Sequence, residues 1–193
     1  LPRRSAQTAL YHISEAFVRW IAPILSFTAH EIWVYMPGQR GASVFLAEWY
    51  DLPQLNAEKG FQRADWDAIM EAKEAINKML ETSRSEGLIR GSLDAEIVLY
   101  ADDHYMQALG KLGDELRFVT ITSTASLLPM AQSGDAPQSS LTGLNVAIRR
   151  SDATKCVRCW HYMGDVGSVE AHPDLCARCV GNVVGAGEIR SYV

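Results

Sequence analysis

The chain has 193 residues, of which 48% are hydrophobic and 21% are charged, a composition typical of a folded domain rather than a disordered segment. Its formal net charge of −5 argues against a protein that binds polyanions without specificity, because such binding needs many Lys and Arg residues to neutralise phosphates. Any contact with nucleic acid must therefore be local.

The sequence contains no secretory signal and no predicted membrane span. Its most apolar stretch, residues 16–33, is interrupted by Arg19 and Pro23, so it is typical of a buried helical segment. The chain starts at Leu1 without an initiator Met, and a strongly patterned helix follows at once. We therefore expect a fragment of a longer protein.

The first part of the chain is predicted to be helical. Apolar side chains recur three or four positions apart from Leu10 to Ile24, as an amphipathic helix requires. A second helix is predicted to follow Pro23, and a third to begin at Asp65 and to end near Gly87. We expect residues 1–87 to form one helical domain.

The sequence pattern changes after Gly87. Short runs of β-branched and aromatic residues predict three strands, at residues 97–100, 118–121 and 144–149. A helix is predicted between the first two strands, near residues 105–116. The predicted fold is therefore mostly α, with a small α/β subdomain over residues 88–150 and a separate module over residues 151–193.

All four cysteines lie in that last module. They form two Cys-x2-Cys pairs separated by sixteen residues, Cys156-Val157-Arg158-Cys159 and Cys176-Ala177-Arg178-Cys179. Each pair can make a tight turn with converging thiolates, and two such turns provide the tetrahedral ligands of a zinc ion. A redox dithiol needs only one pair, and disulfide frameworks spread cysteines across a secreted domain. The spacing therefore predicts one structural zinc ion bound by Cys156, Cys159, Cys176 and Cys179.

Basic and aromatic residues surround the first cysteine pair. From residue 149 onward there are six basic and five acidic residues, which gives residues 149–193 a charge of +1 while the remainder of the chain carries −6. Basic groups beside an aromatic ring suit phosphate contact and stacking on an unpaired base. Alternatively, Trp160 only covers the small zinc fold. The residues predicted to contact RNA are Arg149, Arg150, Lys155, Arg158, Trp160 and Arg178.

Three segments resemble parts of a known family. Residues 22–33, APILSFTAHEIW, resemble a signature of the anticodon-binding helical bundle of class I synthetases for isoleucine, valine, leucine and methionine. Residues 90–95, RGSLDA, are similar to the segment that follows this bundle in the isoleucine and valine enzymes. The runs KCVRCWHY and CARCV, from residues 155 and 176, resemble the C-terminal zinc finger of bacterial isoleucyl-tRNA synthetases, although Val157 stands where the family commonly has Pro.

The resemblance implies a C-terminal part of a cytoplasmic enzyme that attaches isoleucine to its tRNA with ATP. Residues 1–87 would then be part of the anticodon-binding bundle, and residues 151–193 a zinc ribbon. It implies a monomer that binds isoleucine-specific tRNA and neither DNA nor membrane. The His-Ile-Gly-His and Lys-Met-Ser-Lys-Ser signatures that hold ATP in class I synthetases are absent from the sequence. We expect no catalytic residue in this chain and no activity of the chain alone.

Two other functions are compatible with the cysteine pattern. A DNA-repair glycosylase of the formamidopyrimidine type has a zinc finger of similar spacing and would flip a damaged base out of a duplex. The upstream helical signature and the lack of a basic helix-two-turns-helix segment argue against it. The other possibility is a purely structural zinc module that docks onto its own protein.

Overall fold

The computed structural model describes residues 2–54 and 60–191, which form two compact units on either side of residues 55–59. Helices make up more of the described residues than strands do, and the strands form a three-stranded sheet and a short two-stranded pair in the second unit, so the mostly helical fold class is confirmed. Among the described helices, none combines the length and the apolar character that a membrane crossing needs.

The first unit is built on two helices, α1 (Pro2–Ile21) and α2 (Ser26–Tyr35). Its small core is formed by Val18, Ala22, Ala29, Trp33 and Val44. Most of the apolar residues whose spacing predicted α1 lie on the face of the helix that points away from this core. The side chains of Leu10, Ile13 and Phe17 are exposed in the structure. The helix prediction is therefore confirmed, whereas the face that its periodicity marks as apolar is not the buried face.

A buried ionic cluster centres on Glu15, which is only 3% exposed. Arg19 Nη1 donates to the Glu15 carboxylate at 2.7 Å, and Arg40 donates to both of its oxygens, with the longer bond at 3.1 Å. Both guanidinium groups lie over the Trp33 ring, with their carbons 4.8 and 5.0 Å from its centroid. The hydrogen bonds from Arg40 lower the pKa of Glu15 to about 2, against the opposing effect of burial, and Arg19 lowers it further.

The second unit begins with α3 (Arg63–Ser85), where Gln62 N donates to the side chain of Asp65 at 2.7 Å. A three-stranded sheet follows, with strand order β2, β1, β3. The strands are β1 (Ala95–Ala101), β2 (Thr124–Pro129) and β3 (Leu144–Arg150). Strand β1 pairs parallel with β2 and antiparallel with β3, so the chain between β1 and β2 must cross over the sheet. This crossover contains α4 (Asp103–Gly110) and α5 (Leu116–Thr120).

Helix α3 shares one core with the sheet. Ile69 and Ile76 on α3 belong to the same buried cluster as Leu99 on β1, Leu109 on α4 and Val146 on β3. The predicted boundary near residue 87 therefore falls inside a compact unit, although α3 had been expected to pack with the earlier helices.

The strand predicted over residues 118–121 is wrong, because this segment forms α5 and its C-terminal turn. The Thr120 hydroxyl donates to the carbonyl of Leu116 at 3.1 Å, as it can on a helix, and Ile121 ends the helix with a left-handed φ of 56°. The strand begins later, at Thr124. The strands predicted at residues 97–100 and 144–149 are confirmed within β1 and β3.

The remaining described residues, 151–191, contain the four predicted zinc ligands, and this segment is named the zinc module after that prediction. It contains a short antiparallel pair, β4 (Thr154–Lys155) and β5 (Tyr162–Met163), and the helix α6 (Ala177–Val184). Its connection to the sheet is anchored by Ser151, whose N donates to Asp94 O at 2.7 Å and whose hydroxyl donates to Glu96 at 2.6 Å.

Candidate metal centre

Each cysteine pair lies on a tight turn closed by a backbone hydrogen bond. Trp160 N donates to Cys156 O at 2.9 Å, and Val180 N donates to Cys176 O at 3.0 Å in the first turn of α6. A turn of this size directs the first and fourth side chains to the same side. The local folding of each Cys-x2-Cys pair therefore prepares two ligands for one metal ion.

The structure brings all four predicted ligands together. Their sulfur atoms all lie within 4.8 Å of one another, and the sulfurs of Cys159 and Cys176 are 3.8 Å apart. A tetrahedral zinc site with bonds of about 2.3 Å requires sulfur separations of about 3.8 Å. A disulfide would need a separation of about 2.05 Å, and the four cysteines are free thiols. The arrangement fits a zinc ion and not two disulfides.

The core around the sulfurs is small. Besides the cysteines, of which three are fully buried, it contains only the partly buried apolar side chains of Met163, Val166 and Leu175 among the described residues. A core of this size buries too little apolar surface to stabilise a fold by itself. Metal binding would therefore supply a large part of the folding free energy of the module.

The protonation of the thiols opposes metal binding at low pH. Burial raises the pKa of Cys156, but hydrogen bonds from the backbone of Cys159, Cys176 and Arg158 outweigh it and lower the value to about 6. Burial raises the pKa of Cys176 to about 12. A metal ion must therefore displace at least one proton from the cluster at neutral pH.

Trp160 lies on the outside of the module. Its side chain is 59% exposed, and it is not part of the apolar cluster around the sulfurs. The ammonium nitrogen of Lys155 is 5.6 Å from the centroid of its ring. Its backbone is left-handed, with a φ of 67°, a conformation that is unfavourable for a bulky residue. The ring is therefore displayed to solvent and does not cover the metal centre.

The predicted basic residues fall into two groups. Lys155 and Arg158 are exposed; Lys155 lies beside the Trp160 ring, and Arg158 lies on the first cysteine turn. Arg149 and Arg150, at the end of β3, form ion pairs with acidic residues around β1, Arg149 with Glu96 and Arg150 with Asp94. The side chains of Arg149 and Arg150 are still largely exposed, so a phosphate could reach them.

Arg178 differs from the other predicted residues because it faces inward. Only 17% of its side chain is exposed, and Nη1 donates to both carboxylate oxygens of Glu188 at 3.3 Å. Its guanidinium carbon lies 5.1 Å from the centroid of the Phe118 ring. Arg178 thus connects the zinc module to α5.

Sequence reasoning missed the residues that attach the zinc module to the sheet. Phe118 on α5 contacts Arg178, and it also packs against the His161 ring edge at a centroid distance of 6.0 Å. The buried hydroxyl of Ser123 accepts a hydrogen bond from Tyr162 N at 2.6 Å and donates to Leu93 O. These partners are 39 and 30 positions away from Ser123 along the chain. No periodicity or motif could have signalled such pairs.

Two family models match the chain. One, described as the anticodon-binding domain of tRNA ligase, matches residues 2–99, and the other, a zinc finger found in FPG and IleRS, matches residues 154–181 with all four cysteines. A helical domain and a zinc finger of these two kinds in one chain define a part of a tRNA ligase. The chain belongs to the family of anticodon-binding domains of tRNA ligases, whose model covers half of its length.

Similar proteins extend over the whole chain. A relative from Nitrosococcus oceani, described as isoleucine–tRNA ligase, is 56% identical over 192 residues, which are 98% of this chain and 20% of the relative. Isoleucine–tRNA ligases from Pseudomonas putida and a Marinomonas species are both 54% identical, over 98% and 100% of this chain and 20% and 21% of their own lengths. The chain therefore spans about a fifth of the length of the curated relatives that it matches.

Proposed function

We propose that this chain is the tRNA-binding C-terminal part of an isoleucine–tRNA ligase, a cytoplasmic enzyme that attaches isoleucine to its tRNA with ATP. The observation that carries the proposal is the identity of 53–56% with such ligases over nearly the whole chain. The chain recognises the anticodon arm and so positions the acceptor end of the tRNA in a distant active site. It contributes binding and orientation rather than a chemical step.

The zinc module holds one structural zinc ion in a ribbon-like fold. Cys156, Cys159, Cys176 and Cys179 are its ligands, and their separations support this assignment. Four thiolates complete the coordination of zinc and leave no position for a reactive water. The ion maintains the shape of the module, and none of its ligands takes part in catalysis.

The RNA-contacting face consists of Trp160 and the basic residues around it. Lys155 and Arg158 contact phosphates while the exposed Trp160 ring stacks on an unpaired base of the anticodon loop. Arg149 and Arg150 extend the face along β3. Arg178 faces inward, so it contributes to this face through its place in the zinc module more than through direct contact with RNA. The partner is a tRNA specific for isoleucine, bound by a monomer that binds no DNA.

The alternative of a DNA-repair glycosylase is not favoured. The zinc-finger model is common to both kinds of protein and cannot separate them, but the model over residues 2–99 and the relatives are those of tRNA ligases. A zinc module without any RNA contact would need no exposed aromatic ring in a strained backbone. The conformation of Trp160 therefore supports the RNA-binding proposal.

Binding of the 193-residue chain to transcribed tRNAs tests this function. We expect tighter binding to an isoleucine tRNA than to the same tRNA with a changed anticodon, because only the anticodon arm is contacted. A tRNA with a changed acceptor stem is the matched control and should bind like the original. Equal affinity for all three RNAs, or tighter binding to duplex DNA with a damaged base, would contradict the proposal. The chain alone should catalyse no isoleucine-dependent pyrophosphate exchange.

A further inference from the structure

The two cysteine pairs share an arginine at the same position. Arg158 and Arg178 each directly precede the second cysteine of their pair. Arg158 Nη1 lies 3.5 Å from Cys179 Sγ, and the inward-facing side chain of Arg178 interacts with Cys159 of the other pair. Each arginine therefore crosses to the second cysteine of the opposite pair, which makes the arrangement reciprocal.

The contacts of the two arginines place positive charge next to the negatively charged metal centre. Four thiolates outnumber the positive charges of a zinc ion, so the loaded cluster carries a formal charge of about −2. Burying an uncompensated charge of this size is costly. Two guanidinium groups beside the sulfurs, of which Arg158 is within 3.5 Å of one, carry the opposite charge and would cancel it.

The first cysteines of the two pairs are compensated in another way. Cys176 N donates to the sulfur of Cys156 at 3.4 Å, and the backbone N–H groups of Cys159 and Arg158 also point at this sulfur. The sulfur of Cys176 has a backbone donor from Cys179. The arginines therefore compensate the second cysteine of each pair, Cys159 and Cys179, whereas backbone N–H groups compensate the first cysteine of each pair.

The surroundings of Arg178 hold its guanidinium group in place for this role. Glu188 accepts two hydrogen bonds from it at 3.3 Å, and its guanidinium carbon lies 5.1 Å from the centroid of the Phe118 ring. A side chain with these partners loses little further entropy when its remaining donor meets a sulfur. Arg158 is exposed, but its contact with Cys179 directs it toward the cluster as well.

We propose that Arg158 and Arg178 are hydrogen-bond donors that compensate the negative charge of the zinc–thiolate cluster. They stabilise the cluster from opposite sides and slow the release of the metal. This role is separate from RNA contact, since zinc retention is measured without RNA. Hydrogen bonds to ligand atoms commonly change metal affinity by about 10- to 100-fold when they are removed.

Zinc release from the loaded 193-residue chain tests the proposal. Arg158→Met and Arg178→Met remove the charge and the donors but keep most of the side-chain length. We expect each variant to lose zinc to an excess of a colour-forming chelator about tenfold faster than the wild type. Arg149→Met is the matched control, because Arg149 is basic, lies in the same part of the chain and pairs with Glu96 instead of a sulfur. Equal rates in all four proteins, or equal acceleration by Arg149→Met, would overturn the proposal.

A spectroscopic measurement separates a donor to sulfur from a merely structural residue. With cobalt(II) in place of zinc, a hydrogen bond to a thiolate lowers the energy of the sulfur electrons and raises the energy of the sulfur-to-metal charge-transfer band. Loss of the donor in either Met variant should shift this band to lower energy, and Arg149→Met should leave it unchanged. If Arg158→Met retains no metal, Arg158→Lys, which keeps a positive charge and N–H donors, should restore zinc retention. An Arg158→Lys protein that also retains no metal would refute the role of Arg158 as a compensating charge.

Discussion

The guanidinium carbon of Arg190 lies 3.9 Å from the centroid of the Phe118 ring. Arg178 contacts the same ring, and Glu188 accepts hydrogen bonds from both arginines, Arg190 at 3.0 Å. Phe118 belongs to α5, whereas the two arginines and Glu188 follow the metal ligands in sequence. One aromatic ring on the crossover helix therefore attaches the zinc module to the rest of the second unit.

Replacing this ring by an aliphatic side chain should weaken the attachment. Phe118→Leu keeps apolar volume but removes the cation–π contacts with Arg117, Arg178 and Arg190, each worth about 0.5–1 kcal/mol or more when partly buried. We expect a lower urea midpoint of the second unit and faster proteolysis within residues 151–191, with zinc still bound. Phe27→Leu, at a ring that is 94% exposed, should change neither quantity. Equal protease resistance of the Phe118→Leu protein and the wild type would show that other contacts hold the module.

The buried Glu15 should make the first unit sensitive to acid. Its pKa in the folded chain is about 2, below the ordinary value of 4.5, so the carboxylate stabilises the fold fully above about pH 4.5. This contribution, about 3 kcal/mol from the pKa difference, is lost as the pH falls toward 2. Glu15→Gln should remove it at neutral pH and flatten the acid branch of the stability curve, measured by urea unfolding.

An exposed ion pair provides the control for this prediction. Glu74 pairs with Lys78 on α3, and the side chains of both residues are largely exposed. Glu74→Gln should therefore change the free energy of unfolding by less than about 0.5 kcal/mol. If Glu15→Gln changed the free energy of unfolding as little as Glu74→Gln, the charge of Glu15 would not compensate the two arginines around it.

Removal of zinc should unfold the module selectively. Its own apolar core is small, whereas the sheet and α3 share a separate buried cluster. We expect chelation to abolish amide protection over residues 151–191 and to leave that of β1 and α3 largely intact, measured by hydrogen exchange. Because Cys176 has a pKa of about 12 without metal, zinc binding releases protons, and affinity should rise with pH from 6 to 8. Loss of protection throughout the chain would show that the second unit depends on the metal as a whole.

Trp160 and Lys155 should affect RNA binding in different ways. Trp160→Ala removes a stacked base and should cost about 1–3 kcal/mol of tRNA affinity, with an unchanged dependence on salt. Lys155→Ala removes a phosphate contact and should reduce the slope of log affinity against log salt by about one unit. Fluorescence anisotropy at several salt concentrations measures both, with the zinc content checked in each variant. Wild-type affinity in a Trp160→Ala protein that keeps its zinc would exclude stacking.

The sequence was sufficient to predict the parts of the fold that depend on local patterns. Strands β1 and β3 contain apolar runs, and the two cysteine pairs have the spacing of a metal site, so both were expected. Strand β2 was missed because Ala125 and Ser126 carry no strong strand signal, while the aromatic and β-branched residues 118–121 do. Helix α5 exists because its side chains pack under the sheet and the zinc module, a tertiary effect that outweighs local propensity.

The sequence predicted which residues could form the proposed RNA-contacting face, but not how their side chains are arranged. Composition suggested a basic patch around Trp160, but the sequence did not reveal that Arg178 faces Glu188 and Phe118. It also did not reveal that Arg158 reaches a sulfur of the opposite cysteine pair. Such pairings depend on how two turns face each other in space, which spacing along the chain does not specify.

The hydroxyl of Ser123 has a consequence for the energetics of RNA association. It holds the backbone of Tyr162, two residues after Trp160, against the carbonyl of Leu93, which precedes β1. The backbone next to Trp160 is thereby held in place relative to the sheet. In the proposed RNA complex, stacking on Trp160 would therefore cost little backbone entropy, and the ordering of the protein would consume less of the binding free energy.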